Sequence, residues 1–178
     1  MSQLKVNSII PVSGVPTGGG GGIIQIIQAV KTDTFTTTAA ISSPAAVTGL
    51  ACTITPTSSS SKILITSHVG CTGCTNNDFA SRFHLYKGGS EISGAKGDAS
   101  GSRTRYAFAF RSDNNHRYSS QSMTYLDSPS TTSATTYQLY MSVEPSGGSA
   151  VLNRSGQDSD GEAFPRTIST FTVMEVSA

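Results

Sequence analysis

Charge is scarce in this chain. Only 13% of its 178 residues are Asp, Glu, Lys or Arg, and the formal net charge is +1. A balance so close to zero gives little non-specific pull on phosphate, so no nucleic-acid partner is expected. Cysteine is scarce too. Cys52, Cys71 and Cys74 are odd in number and too few for a disulfide scaffold. Long apolar runs are missing: the best one, Ile23 to Val30, is interrupted by Gln25 and Gln28, so no membrane insertion is expected. The opening MSQLKVNSII has no basic region, long apolar stretch or cleavage site, which predicts synthesis in a cytoplasm without export by the general route. Apolar residues make up 36%, below the ~45–50% of ordinary globular chains. Stability must therefore come from efficient packing or from other chains. A helical period is also absent, and Leu, Glu, Lys and Ala do not dominate, which excludes a coiled coil or helical bundle.

What remains is a chain with 29 serines, 22 threonines and 18 glycines. The glycines are uneven. Gly18 to Gly22 stand in a row, a composition that reads as a flexible linker with a high ordering cost. Before it lies one apolar patch, Leu4, Val6, Ile9 and Ile10. So short a tail cannot bury a core alone, and the patch therefore calls for a partner or a neighbouring subunit. We divide the chain into an anchoring segment with linker, 1–22, and a folded domain, 23–178.

From Ile23 onward the hydrophobic period is close to two. Ile63 and Ile65 alternate with Leu64 and Thr66. Phe79, Ser81, Phe83 and Leu85 oppose Arg82, His84 and Tyr86. Tyr106, Phe108 and Phe110 oppose Ala107 and Ala109, and Tyr137, Leu139, Met141 and Val143 oppose Gln138 and Tyr140. Phe171, Val173 and Glu175 share a face of the last strand, and Lys87-Gly-Gly-Ser90 has the composition of a hairpin turn. Strands recurring every ~10–20 residues between Gly, Ser, Asn and Asp clusters predict an all-β fold. We expect an antiparallel jelly-roll β-sandwich of about eight to ten strands.

Chemical motifs are weak. The glycine run lacks the strand before it and the Lys-Ser/Thr and helix after it that a phosphate loop needs. Cys71-Thr-Gly-Cys74, with His68 three residues earlier, offers three zinc ligands, but no second pair follows, so two ordinary cysteines at a strand end are expected. Asp158, Asp160 and Glu162 alternate as calcium ligands can, yet the full loop pattern is absent and a solvated loop is expected. Asn153-Arg-Ser155 fits a glycosylation sequon, read as accidental without a secretory signal. Arg82, Arg103, Arg105, Arg111 and Arg117 stand near aromatics and are read as outer-face charges. No nucleophile elbow is present, and the histidines are scattered. We expect a non-enzymatic protein without cofactor or metal.

Several stretches carry a resemblance. SQLKVNSIIPVSG, the glycine run and GGIIQIIQAVKTDTFTTT resemble the start of small virion proteins of tailed phages, marine cyanobacterial phages in particular. TGLACTITPTSSSSKILI, GDASGSRTRYAFAF, MTYLDSPSTTSATTYQLYMSV and PRTISTFTVMEV are similar to the same group. The strand order and the ending STFTVMEV also resemble the globular heads of complement and tumour-necrosis-factor type, which associate as trimers.

The resemblance implies a particle-bound structural protein located in the virion. It implies a homotrimer on the tail or a tail fibre, with the N-terminal segment docked on other virion proteins and the C-terminal domain facing outward. Leu4, Val6, Ile9 and Ile10 would then be the anchor. Because loops on a rigid sheet carry recognition, the expected contacts with a host surface glycan or receptor are Asn76, Asn77 and Asp78, then Asn114, Asn115 and His116, then Asp158 and Asp160 within 157–162. The alternatives are a head-decoration, cement or capsid-fibre protein and, from another class, a carbohydrate-binding module.

Overall fold

β-Branched and aromatic residues at alternate positions favour pleated chain whose one face is buried. In the computed structural model, which describes residues 22–144 and 148–177, eleven strands form: β1 Ile23–Lys31, β2 Phe35–Thr37, β3 Ala45–Ile54, β4 Lys62–Cys74, β5 Phe79–Lys87, β6 Ser90–Glu91, β7 Phe108–Ser112, β8 Ser119–Asp127, β9 Thr135–Val143, β10 Ala150–Leu152 and β11 Ser169–Val176. One short 3-10 turn, Ser93–Ala95, interrupts them. Among the described residues no helix is long and apolar enough to cross a membrane.

All pairings are antiparallel. One sheet runs β1-β11-β4-β8, and β10 with β2 continues it beside the last residues of β4. The other runs β3-β9-β5-β7, with β6 as a hairpin on β5. Numbering the eight principal strands in chain order, the sheets read 1-8-3-6 and 2-7-4-5. That order, in which the chain keeps crossing between two sheets, is the jelly roll expected from the sequence. Three strands exceed or escape the reading. β6 and β10 are two or three residues long, and β8 has a mixed inward face, where Gln121 and Asp127 stand with Met123 and Tyr125 while Leu126 points outward.

The core lies between the sheets. Leu50, Ile54, Ile63, Ile65, Phe83, Leu85, Tyr137, Leu139, Met141, Phe171 and Val173 are fully enclosed. Each such side chain contributes ~1.5–3 kcal/mol. Val47 and Leu50 are three residues apart, so an unbroken strand would aim them at opposite faces. A bulge between Ala46 and Ala51 corrects this, with Gly49 at φ +85°, a backbone shape that side chains disfavour. A second irregularity between Ile23 and Gln25 sets Gln25, Ile27 and Ala29 inward and leaves Ile26 and Val30 outside.

The register decides where everything else goes. Lys62, at the start of β4, pairs with Val176, and Ser177 exchanges hydrogen bonds with Gly22. Both described chain ends therefore sit at one end of the sandwich, the near end. Here Asp127 accepts hydrogen bonds from the Tyr137 hydroxyl at 2.6 Å and Lys87 Nζ at 2.9 Å. Cys74, at the other end of β4, opens onto the far end.

Candidate functional site

The connections β4–β5, β7–β8 and β10–β11 all turn at the far end, because Phe79 pairs with Ser112, Thr72 with Ser119 and Leu152 with Thr72. The three loops chosen from sequence are therefore brought together. The Asn115 amide donates to Asn77 Oδ1 at 3.0 Å, and the Asn115 carbonyl accepts from the Gln157 amide at 2.7 Å. The His116 ring lies 5.8 Å from the Phe164 ring.

Several expected contact residues also hold the loops. Asn114 Oδ1 accepts from the His116 and Arg117 amides at 3.0 and 3.1 Å, a turn built on its own side chain. Asn77 is committed to Asn115. Asp158 is paired with Arg166, and Arg154 approaches its other oxygen at 3.8 Å. Asn76, Asn77, Asp78, His116, Asp158 and Asp160 are exposed, and Asn114 and Asn115 are half-buried. The 154–166 loop encloses a cleft of about 300 Å³ lined by Asp158, Ser159, Asp160, Gly161, Phe164 and Arg166. It combines one aromatic face, one guanidinium and two carboxylates.

Two features position this loop. A Cβ on Gly156 would lie 1.8 Å from the Cys74 carbonyl oxygen, so the loop can lie against the end of β4 only with glycine there. Asn153, at φ +63°, is fully buried. Its Nδ2 donates to the Lys31 carbonyl at 3.0 Å and the Asp33 carbonyl at 2.9 Å, and its Oδ1 accepts from the Ser169 hydroxyl at 2.6 Å. Its amide is thus a tie between β1 and β11, closed to glycan attachment. The sequence marked Asn153 only as a sequon and passed over Phe164. A single aromatic between Ala163 and Pro165 in a polar loop was the available signal for the latter.

The other motifs separate. His68 is exposed on an outer face and bonds Ser122 at 3.0 Å, whereas Cys71 and Cys74 are buried free thiols, each pushed up to about 12 by burial. They do not converge as ligands. Among the described residues no three His, Cys, Asp or Glu side chains are placed to hold a metal ion, Asp158, Asp160 and Glu162 included.

Arg82 stands on the outer face of β5, as expected, but is covered there rather than solvated. It is only 7% exposed, its Nη2 stands 3.5 Å from Glu144, and it lies over the Tyr106 ring at 5.6 Å. Its Nε and Nη1 have no hydrogen-bond partner among the described residues. Beside it His84, 1% exposed, bonds Glu91 through Nδ1 at 2.8 Å and Ser142 through Nε2 at 2.9 Å. Burial lowers the His84 pKa despite the Glu91 carboxylate. The neutral ring therefore donates from Nδ1 to Glu91 and accepts the Ser142 hydroxyl proton at Nε2. Through His84 the cluster links β5, β6 and β9. The anchor residues Leu4, Val6, Ile9 and Ile10 lie outside the described residues.

No protein-family model matches the chain, and no curated protein does. Among solved structures it is similar to the crystal structure of the infectious bursal disease virus VP2 subviral particle, at 11% identity and TM-score 0.39 over 97% of this chain and 45% of that one. It is similar also to the structure of the Gx strain of the same virus, at 11% identity and TM-score 0.40 over 98% of this chain and 45% of that one. The chain thus spans less than half the length of either. No residue role is carried over from them.

Proposed function

We propose that the chain is a non-enzymatic structural protein of a virus particle, a trimeric appendage of the tail or tail fibre. In this reading Leu4, Val6, Ile9 and Ile10 dock on another virion protein, and the glycine linker holds the sandwich clear of the docking site. The far-end loops then meet the host surface. One observation carries the reading. The linker enters at Gly22 on the near end, and the three polar loops meet at the opposite end, roughly 40 Å away along the thirteen residues of β4. Attachment at one end and contact at the other is the polarity a particle-bound appendage requires. The resemblance of the opening segment to phage virion proteins supports the same assignment. Several copies on one particle would let individually weak contacts add through avidity.

The test is a binding assay on particles lacking the chain. Full-length protein should restore attachment. Deletion of residues 1–21 should abolish it, while exchange of Asp78, His116 and Asp160 for alanine should leave docking intact and reduce host adsorption. Docking that survives the deletion would overturn the anchor assignment. Recovery on heads rather than tails would favour the decoration or cement protein.

The cleft favours a second reading, a carbohydrate-binding module. An aromatic face beside a guanidinium and carboxylates is the chemistry that grips a sugar ring and its hydroxyls. A glycan array with the full chain checks it. Binding should disappear with Phe164→Ala, and an array without signal removes this reading.

A further inference from the structure

We infer that the outer face of the β1-β11-β4-β8 sheet is a contact surface between copies of this chain. The inference rests on the oligomeric part of the reading above and supplies what that part lacks, the face that carries it. The register aligns Ile26 with Met174, Met174 with Leu64 and Leu64 with Leu126. Four apolar side chains therefore form one row across all four strands, on the side away from the core. Its ends are open to solvent: Ile26 is 58% exposed and Leu126 54%. Ile23, on the same strand at the near end, is 57% exposed.

The next row is Gln28, Thr172, Thr66 and Thr124, and the one after it Val30, Thr170, His68 and Ser122. Hydroxyls and one amide flank the apolar row, and no carboxylate stands in any of these rows. Lys62, at the near margin, is already bonded to Ser128. β1 is an edge strand, and from Ile23 to Val30 it has none of the charges or prolines that normally blunt an edge.

A second copy is the occupant that these properties fit. An uncharged face attracts no oppositely charged partner, and it meets its own copy without like-charge repulsion. Depletion of charge at the centre of a patch is a mark of protein interfaces. Four strands by eight residues make a surface of about 19 by 26 Å, roughly 500 Å² in projection. Side-chain relief raises this toward the ~800 Å² per partner of a stable contact.

The experiment is light scattering on the full chain after size exclusion, over a concentration series. Wild type should run at a whole multiple of the chain mass. Ile26→Lys combined with Leu126→Lys, both at exposed positions, should run as a single chain, with association weakened at least 100-fold. Thr53→Lys, on the outer face of the other sheet, should keep the wild-type mass. As a measurement independent of any variant, hydroxyl-radical oxidation of Met174 should fall as wild-type concentration rises. A wild type that stays a single chain throughout overturns both this inference and the oligomeric reading. A multiple that persists in the double variant, with Met174 oxidised equally at all concentrations, overturns this face alone and leaves the oligomer standing.

Discussion

Asn153 joins three parts of the far end with one side chain. Alanine there would leave the Lys31 and Asp33 carbonyls and the Ser169 hydroxyl without their partner, and would put a methyl group on backbone of positive φ. Each orphaned buried group costs ~1–3 kcal/mol, so Asn153→Ala should lower unfolding free energy by about 3 kcal/mol in urea titration. Glu175 and His84 make stability depend on pH with one sign. Burial tends to raise the Glu175 carboxyl, but hydrogen bonds from Gln25 at 2.6 Å and from Thr57 N–H and hydroxyl at 2.7 Å hold it below its ordinary value. A folded carboxyl of lowered pKa gives its full stabilisation above the unfolded value of ~4.3, and loses it as pH falls toward the folded value. His84 is lowered by burial, so below pH ~6.5 the unfolded chain takes up a proton that the folded chain refuses. Stability should therefore fall as pH drops from 7 to ~3, first through His84 below ~6.5 and then through Glu175 below ~4.3. Urea midpoints across that range check it, and Glu175→Gln should flatten the acidic part of the curve.

At the scale of elements, the strands whose inward residues are apolar were legible and β8 was not. β9 shows its face plainly as Tyr137, Leu139, Met141 and Val143. In SSQSMTYLD the largest aliphatic side chain, Leu126, points out, and an aspartate points in to meet Tyr137 and Lys87. Met123 and Tyr125 do pack inward on the core, but Gln121 and the buried Asp127 share that face, so the apolar alternation is broken. The far-end loop is held by backbone approach. Gly156→Ala should force it off Cys74 and break the bond from the Gln157 amide to Asn115. We expect faster hydrogen exchange at Gln157 and a loss of about 2 kcal/mol in stability, with the sandwich itself retained.

For the whole molecule the decisive fact is that chain entry and loop cluster occupy opposite ends. Removing residues 1–21 leaves the Gly22 to Ser177 bonds and both sheets in place, so the truncated protein should melt within about 3 °C of the full chain by calorimetry. A larger drop would mean that the segment contributes to the core of the domain. The thin core belongs to this scale also. With 36% apolar residues, the chain still leaves Ile23, Ile26, Val30 and Leu126 in solvent, so part of its scarce apolar surface is held outside the core.

The sequence by itself determined the class of fold and the inward faces of the apolar strands. Those follow from period-two burial and turn composition, which act within ten residues of chain. It also picked the three loops, because polar clusters between strands are local as well. Only the tertiary structure decided that the loops meet, that Asn77 and Asn114 serve the loops themselves, that Arg82 and His84 are buried, and that Ile26, Met174, Leu64 and Leu126 form one row. Each of those depends on strand register between segments as far apart as 148 residues, the separation of Ile26 and Met174. Register is set by the packing of the two sheets together, and no local pattern encodes it.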